Sequence, residues 1–288
     1  MAESPSHRFG QMVGKLLEEI LQPVLLEFAE GRSLFLDRHG LRAGVRKGLK
    51  LSWADHYGNS HDLDFVIEKD GTTTRQGRPV AFIEAAWRRY TKHSRNKAQE
   101  IQGAILPIAE EYRWDKPFLG AVLAGEFSPP SLEQLTSRGF KLVYIPYVTV
   151  VAAFADVEID ARFDEQTPDR DFARCVDQIE ALDESERERI KAKIRALNAG
   201  EFERFFADLK RKLDRLVERV VVLPLFGTSL VFSTLDDAVK FIEEFDSDAS
   251  STDFQKYEAI VTFTNGDKID GIFADKGDAL KFLEYVSS

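Results

Sequence analysis

The stretch from Trp53 to Tyr112 places the tightest limits on the fold and on any chemistry. His61–Ile67 is an apolar run tipped by Asp62 and Asp64, and Val80–Trp87 is a second apolar run with Glu84 in its middle. Near-continuous apolar sequence of this kind suits a strand buried at the centre of a sheet. A carboxylate flanked by Phe82, Ile83, Ala85 and Ala86 is costly there unless a cation or a hydrogen-bond partner meets it. Directly afterwards come Arg88, Arg89, Lys92, His93, Arg95 and Lys97, with no acid before Glu100. Two acids on neighbouring strands, followed by cations, can hold a metal ion against a phosphate.

Flanking patterns supply the frame. Met12, Val13, Leu16, Leu17, Ile20, Leu21, Val24 and Leu25 recur at three- and four-residue steps, which predicts a helix over residues 10–29, kinked or restarted at Pro23. Leu34–Val45 reads as loop, bounded and broken by Gly31, Gly40 and Gly44. Leu49–Trp53 reads as a strand that forms a hairpin with Asp62–Ile67 across the turn residues His56–Ser60, and Val80–Trp87 completes a three-strand meander. A helix Ser94–Tyr112, a buried strand Phe118–Gly125, a short helix Ser131–Ser137 and a strand Lys141–Pro146 follow. That order predicts an α/β (α+β) fold, a mixed central sheet flanked by helices, over residues 1–160.

Residues 161–218 are charged and helical, with breaks near Asp183 and Asn198, and read as a connector or docking arm. Residues 219–288 carry an internal repeat in which Val231–Glu243 aligns with Ile272–Glu284. Asn265-Gly266 between Ile260–Thr264 and Lys268–Phe273 is a hairpin signal. Two hairpin-helix units predict a small α+β domain for recognition or dimerisation.

Composition narrows the function classes. A net charge of -10 and a pI of about 5.2 count against nonspecific coating of nucleic acid, yet leave room for a local basic groove. No apolar run approaches the roughly 20 residues of a membrane span, and the N-terminus lacks a signal pattern, so no membrane partner and a cytoplasmic location are expected. The single cysteine, Cys175, excludes an internal disulfide and a Cys-clustered zinc site. His56, Asn59 and His61 lack the spacing of a His-Asn-His nuclease and read as turn residues. Trp53, Trp87 and Tyr90 are candidates for base stacking, with packing the commoner role.

With Asp64 and Glu84 on adjacent strands and a basic helix next, residues 10–155 resemble the PD-(D/E)xK nuclease superfamily, the restriction-endonuclease-like fold. The resemblance implies a Mg²⁺-dependent DNA endonuclease, with Mn²⁺ as a substitute. It assigns the metal to Asp64, Glu84 and the Ala85 carbonyl, assisted by an acid of the first helix, Glu18 or Glu19. The family lysine falls two residues after the glutamate, where this chain has Ala86. Members that move the lysine to the following helix nominate Lys97, with Lys92 second. Arg88, Arg89, Lys92 and Arg95 are then expected to grip DNA phosphates, and Gln99 and Gln102 to line the same face. A homodimeric type II restriction enzyme is the leading expectation. The alternatives are a structure-specific repair nuclease and a non-catalytic nucleic-acid or protein interaction module on the same fold.

Overall fold

Ser4 opens the first helix, α1 (Pro5–Glu30), by accepting the His7 N–H at 3.3 Å, and Pro5 sits in the first turn, where a missing N–H costs nothing. The helix buries Phe9, Val13, Leu17, Leu21 and Leu25 on one face and runs through Pro23 as one element. The computed structural model describes residues 4–224, 229–246 and 256–288. It divides into two units, Met1–Glu111 with Pro117–Leu209, and Tyr112–Lys116 with Lys210–Ser288.

In the first unit α1 is followed by β1 (Phe35–Arg38), β2 (Leu51–Ala54), β3 (Ser60–Leu63), β4 (Phe65–Lys69), β5 (Arg78–Arg88) and α2 (Ser94–Glu111). Then come β6 (Phe118–Gly125), α3 (Pro129–Thr136), β7 (Lys141–Pro146), α4 (Tyr147–Ala155), α5 (Asp169–Ala181), α6 (Glu184–Leu197) and α7 (Ala199–Leu213). The central sheet has the order β1-β4-β5-β6-β7, with β1, β4 and β5 antiparallel and β5, β6 and β7 parallel. Helices flank it: α1 lies on β5 and β1, α2 on β5, α3 on β7, and α4 on β6 and β7. The expected mixed, helix-flanked sheet is therefore present.

Its first strand is not the expected one. Leu51–Ala54 pairs with Ser60–Leu63 in a separate two-stranded hairpin, and the sheet edge is β1, from the stretch read as loop. Asp37 and Arg38 disguise β1 in sequence. Asp37 is buried because Arg42, itself buried, bonds to it and to both Glu68 oxygens at 2.6 and 2.9 Å. Arg42 also donates to the Thr72 and Arg75 carbonyls at 2.7 Å, which ties the loop after β1 to the β4–β5 turn.

The presumed connector also differs. Phe172 of α5 packs against Phe163 at 4.1 Å and Phe9 at 6.2 Å between centroids, and Phe205 of α7 meets Phe118 at 5.3 Å. A Cβ on Gly120 would lie 2.7 Å from the Phe205 ring, so glycine there lets α7 seat on β6. The charged helices read as a connector or docking arm thus contribute aromatic side chains to the first unit's own core.

The second unit contains β8 (Val217–Pro224), β9 (Leu230–Phe232), α8 (Leu235–Glu244), β10 (Tyr257–Phe263), β11 (Lys268–Phe273) and α9 (Lys276–Ser287). Its antiparallel sheet has the order β11-β10-β8-β9, two hairpin-helix units side by side. The repeat extends to the caps: Thr234 and Asp275, at matching positions, accept from the N–H groups of Asp237 and Asp278. The unit is larger than the expected 219–288, because it starts at Lys210 and takes in Tyr112–Lys116, whose Trp114 stacks on Phe282 at 5.1 Å.

Arg42→Ala should cost about 3–5 kcal/mol in urea unfolding, since it strips the buried Glu68 of its guanidinium and leaves Asp37 with Arg46 alone. A cost below about 1 kcal/mol would mean that the network is not what holds β1 to the sheet.

Candidate active site

Asp64 is the single residue between β3 and β4, where the chain passes from the small hairpin into the central sheet. Phe65 stands opposite Ile83 in the β4–β5 ladder, so one further step sets Asp64 opposite Glu84. The Asp64 N–H donates to Glu84 Oε1 at 3.2 Å, and the Ala85 N–H donates to Asp64 Oδ2 at 2.7 Å. The N–H and C=O of one strand residue face the same edge, so the Ala85 carbonyl lies on the Asp64 side of β5.

Burial raises both carboxyls above their ordinary range, and Glu84, pushed further by the neighbouring Asp64 charge, stands well above it. Lys97, half-buried on the first turn of α2, acts on both and draws them back down. Glu18 of α1 is raised to about 7 by burial first, then by Asp64 and Glu19, with Lys15 opposing. Four of the expected site residues, from α1, the β3–β4 junction, β5 and α2, thus share one electrostatic centre.

The other end of β4 provides an internal comparison. There Glu68 and Asp37 form a second buried carboxylate pair, met directly by the Arg42 guanidinium, and Asp37 also by Arg46 at 2.7 Å. At the Asp64 end the carboxylates accept backbone N–H groups and feel a lysine through space. One pair is neutralised by its own chain; the other is under-compensated.

That difference decides whether a cation fits. Among the described residues no three His, Cys, Asp or Glu side chains converge into a closed metal cage. Mg²⁺ needs no such cage, because it binds through one or two carboxylates and keeps several waters. Asp64 and Glu84, hard oxygen donors with excess negative charge, suit it.

The remaining expected residues are elsewhere. Glu19 turns to Lys15 at 3.9 Å and Lys191 at 3.7 Å, which leaves Glu18 as the helix acid. Lys92 pairs with Glu165 at 2.7 Å; Lys97, which also lies 3.6 Å from Glu100, is the lysine whose charge reaches both acids. Arg88 bonds to Glu100 at 3.2 Å, and Arg89 lies 4.1 Å from the Tyr90 ring and 4.3 Å from that of Phe172. Arg95 and Gln99 are exposed, while Gln102 bonds to Gln134 of α3. Trp53 and Trp87 are buried, and Tyr90 donates to the Asp164 carbonyl, so none of the three offers a free face for stacking. The Cys175 thiol is buried and pushed up to about 12, which leaves it inert.

One organising residue was not anticipated from sequence. Asp55 accepts the Tyr57 and Asn59 N–H groups at 2.9 Å and bonds to His61 Nε2 at 2.9 Å, fixing the hairpin turn. An aspartate just before a Gly-Asn turn is the signal that marks it.

No protein-family model and no curated protein matches the chain. Among solved structures it is similar to a protein of unknown function, AF1548, with 12% identity over 64% of this chain and 99% of that one and a TM-score of 0.28. A likeness that slight decides neither fold nor function. No helix among the described residues is long and apolar enough to cross a membrane.

Glu18 gives a pH signature. Its carboxyl titrates near 4.5 when unfolded and at about 7 when folded, so between those values the folded chain holds a proton that the unfolded chain has released. In chelator, Glu18's contribution to stability should therefore fall as pH rises from 4.5 to about 7 and then level. Glu18→Gln should flatten that fall and gain roughly 1–2 kcal/mol at pH 8, after discounting for partial exposure, with little change at pH 4. Equal effects at both pH values in denaturant titrations would remove Glu18 from the coupled centre.

Proposed function

We propose that the first unit is a restriction-endonuclease-like, Mg²⁺-dependent nuclease that hydrolyses DNA phosphodiester bonds. The observation that carries this reading is the opposed, under-compensated pair Asp64 and Glu84 with Lys97 acting on both. The lysine absent at Ala86 is supplied from α2, as in the family members that relocate it.

Asp64 and Glu84, with the Ala85 carbonyl beside them, are the groups that would hold the ion. Bound there, Mg²⁺ or Mn²⁺ would supply Lewis acidity toward a phosphate oxygen and toward a water. Lys97 orients the attacking water and offsets the negative charge that grows on the phosphate oxygens. Glu18, with a pKa of about 7, can take the water's proton onto its carboxylate near neutral pH. Burial of Glu84 keeps bulk water from screening these charges.

Three cations expected to track phosphates are engaged within the chain, Arg88 by Glu100, Lys92 by Glu165 and Arg89 between two rings. This supports a structure-specific enzyme as the second reading, beside a type II enzyme that grips a continuous duplex. Cutting both strands at one site would call for a two-fold dimer, with one centre per strand.

Plasmid, forked and single-stranded DNA incubated with Mg²⁺ or Mn²⁺ should be cleaved, and chelator should stop the reaction. Glu84→Ala should abolish cleavage while the far-UV spectrum stays unchanged. Lys97→Ala should lose on the order of 10²–10³ in rate, the scale of one transition-state donor, and Arg95→Ala only a few-fold. Full activity in Glu84→Ala would overturn the proposal, and equal small losses at Lys97 and Arg95 would remove the lysine from it.

A further inference from the structure

The β2–β3 hairpin stands off the central sheet as its own two-stranded ladder, and β3 runs directly into Asp64. Its root is fixed by Trp53, 2% exposed, whose ring meets Phe82 edge-on at 6.1 Å, two residues from Glu84. Its tip carries Tyr57, 84% exposed, with the His56 ring edge-on to it at 5.4 Å. The tip is held from both sides. Asp55 pins the Tyr57 and Asn59 amides from beneath, and His56 Nδ1 bonds at 2.8 Å to Glu111, at the far end of the helix that carries Lys97. A large aromatic ring is thus presented to solvent on a stiff arm rooted at the acid pair.

Single exposed tyrosines are ordinary on protein surfaces. This one is set apart by what surrounds it: Arg88, Arg89 and Lys92 are engaged within the chain and Arg95 is the one of the four expected phosphate-gripping cations left exposed, so a phosphate backbone has few of them to follow. Stacking is the means of holding nucleic acid that needs no charge, and it demands a base whose face is open, which a continuous duplex does not offer.

Resting on the nuclease reading, we propose that the β2–β3 hairpin is a substrate-positioning finger that stacks Tyr57 on an unpaired nucleobase, so that the substrate is DNA with a single-stranded segment beside the cut. Two routes give the reach. Tyr57 lies seven residues before Asp64, at most about 23 Å of strand. Glu111 lies fourteen residues after Lys97, about 21 Å of helix. At about 3.4 Å per stacked nucleotide, the captured base sits within about six nucleotides of the scissile phosphate.

The test is binding in Ca²⁺ without turnover, using forked DNA with 2-aminopurine placed two to ten nucleotides from the fork in its unpaired arm, and a fully paired duplex as control. The wild-type chain should quench the probe most strongly at or inside the sixth position and not beyond it. Tyr57→Ala should remove the quench and weaken forked-DNA binding at least tenfold while changing duplex binding less than twofold; Tyr57→Trp should restore both. Because Tyr57 is exposed, these variants leave the fold intact. Absence of a Tyr57-dependent quench, or an equal loss on fork and duplex, would overturn the finger. Cleavage by the wild type but not by Glu84→Ala, measured on the same DNAs, reports separately on the nuclease reading. A chain that cuts but does not quench loses only the finger, and one that quenches but never cuts loses only the nuclease.

Discussion

Two carboxylates meet across the β4–β5 ladder, and the first unit's architecture works to keep them there. Like charges at opposite positions of neighbouring strands destabilise a sheet. Here the register is imposed by the strands on either side. β5 is the sheet's centre, antiparallel to β4 and parallel to β6, with Ala81, Phe82 and Ile83 buried on both faces. Phe65, Val66 and Ile67 are buried on both faces of β4, so a one-residue slip would force three side chains of different size and shape into each other's packing sites, and this fit fixes Asp64 opposite Glu84 regardless of the electrostatic cost. The other end of the same strand is clamped by Arg42 through Glu68, beyond a register shift between Ile67 and Glu68. Packing and a satisfied ion network thus hold an unsatisfied one in place.

Much of this was legible in the residues. Phe118–Gly125 and Lys141–Pro146 match the observed strands end for end, because continuous apolar runs flanked by turn residues leave little choice. Asp64, Glu84 and Lys97 were visible as chemistry out of place: acids in apolar runs, and a lysine on the next helix. Which of Glu18 and Glu19 faces inward was not legible, since adjacent helix residues point some 100° apart and only the tertiary partners decide. β1 was hidden for a different reason. A four-residue strand containing Asp37 and Arg38 has no apolar signature, and its stability depends on Arg42, which follows in the next loop. Long-range ion networks leave no periodic trace in sequence.

The partners of the cations were hidden for a related reason. A run of Arg88, Arg89, Lys92 and Arg95 looks like a phosphate-binding face when its partners are remote in sequence. Glu165 lies 73 residues from Lys92, and Phe172, against which Arg89 packs, belongs to a helix that the sequence set apart as a connector. Once α5 packs on α1, its aromatic face joins the core, Phe172 meets Arg89, and Glu165 just before it reaches Lys92.

The two carboxylate pairs of β4 then separate structure from chemistry by a criterion that composition cannot supply. Asp37, Glu68 and Glu84 are buried and Asp64 is half-buried just before β4, so burial alone does not separate the pairs. What differs is the counter-charge. A guanidinium in bidentate contact satisfies Glu68 and fixes its geometry permanently, which suits a clamp and leaves no coordination open. Asp64 and Glu84 instead have backbone N–H donors, which orient the carboxylates without neutralising them, and an ammonium that acts on both. Charge left uncompensated at a fixed geometry is what an exchangeable cation and an anionic substrate together can use. The acidic total charge is no obstacle to that reading, because the field that matters is the one at these four residues.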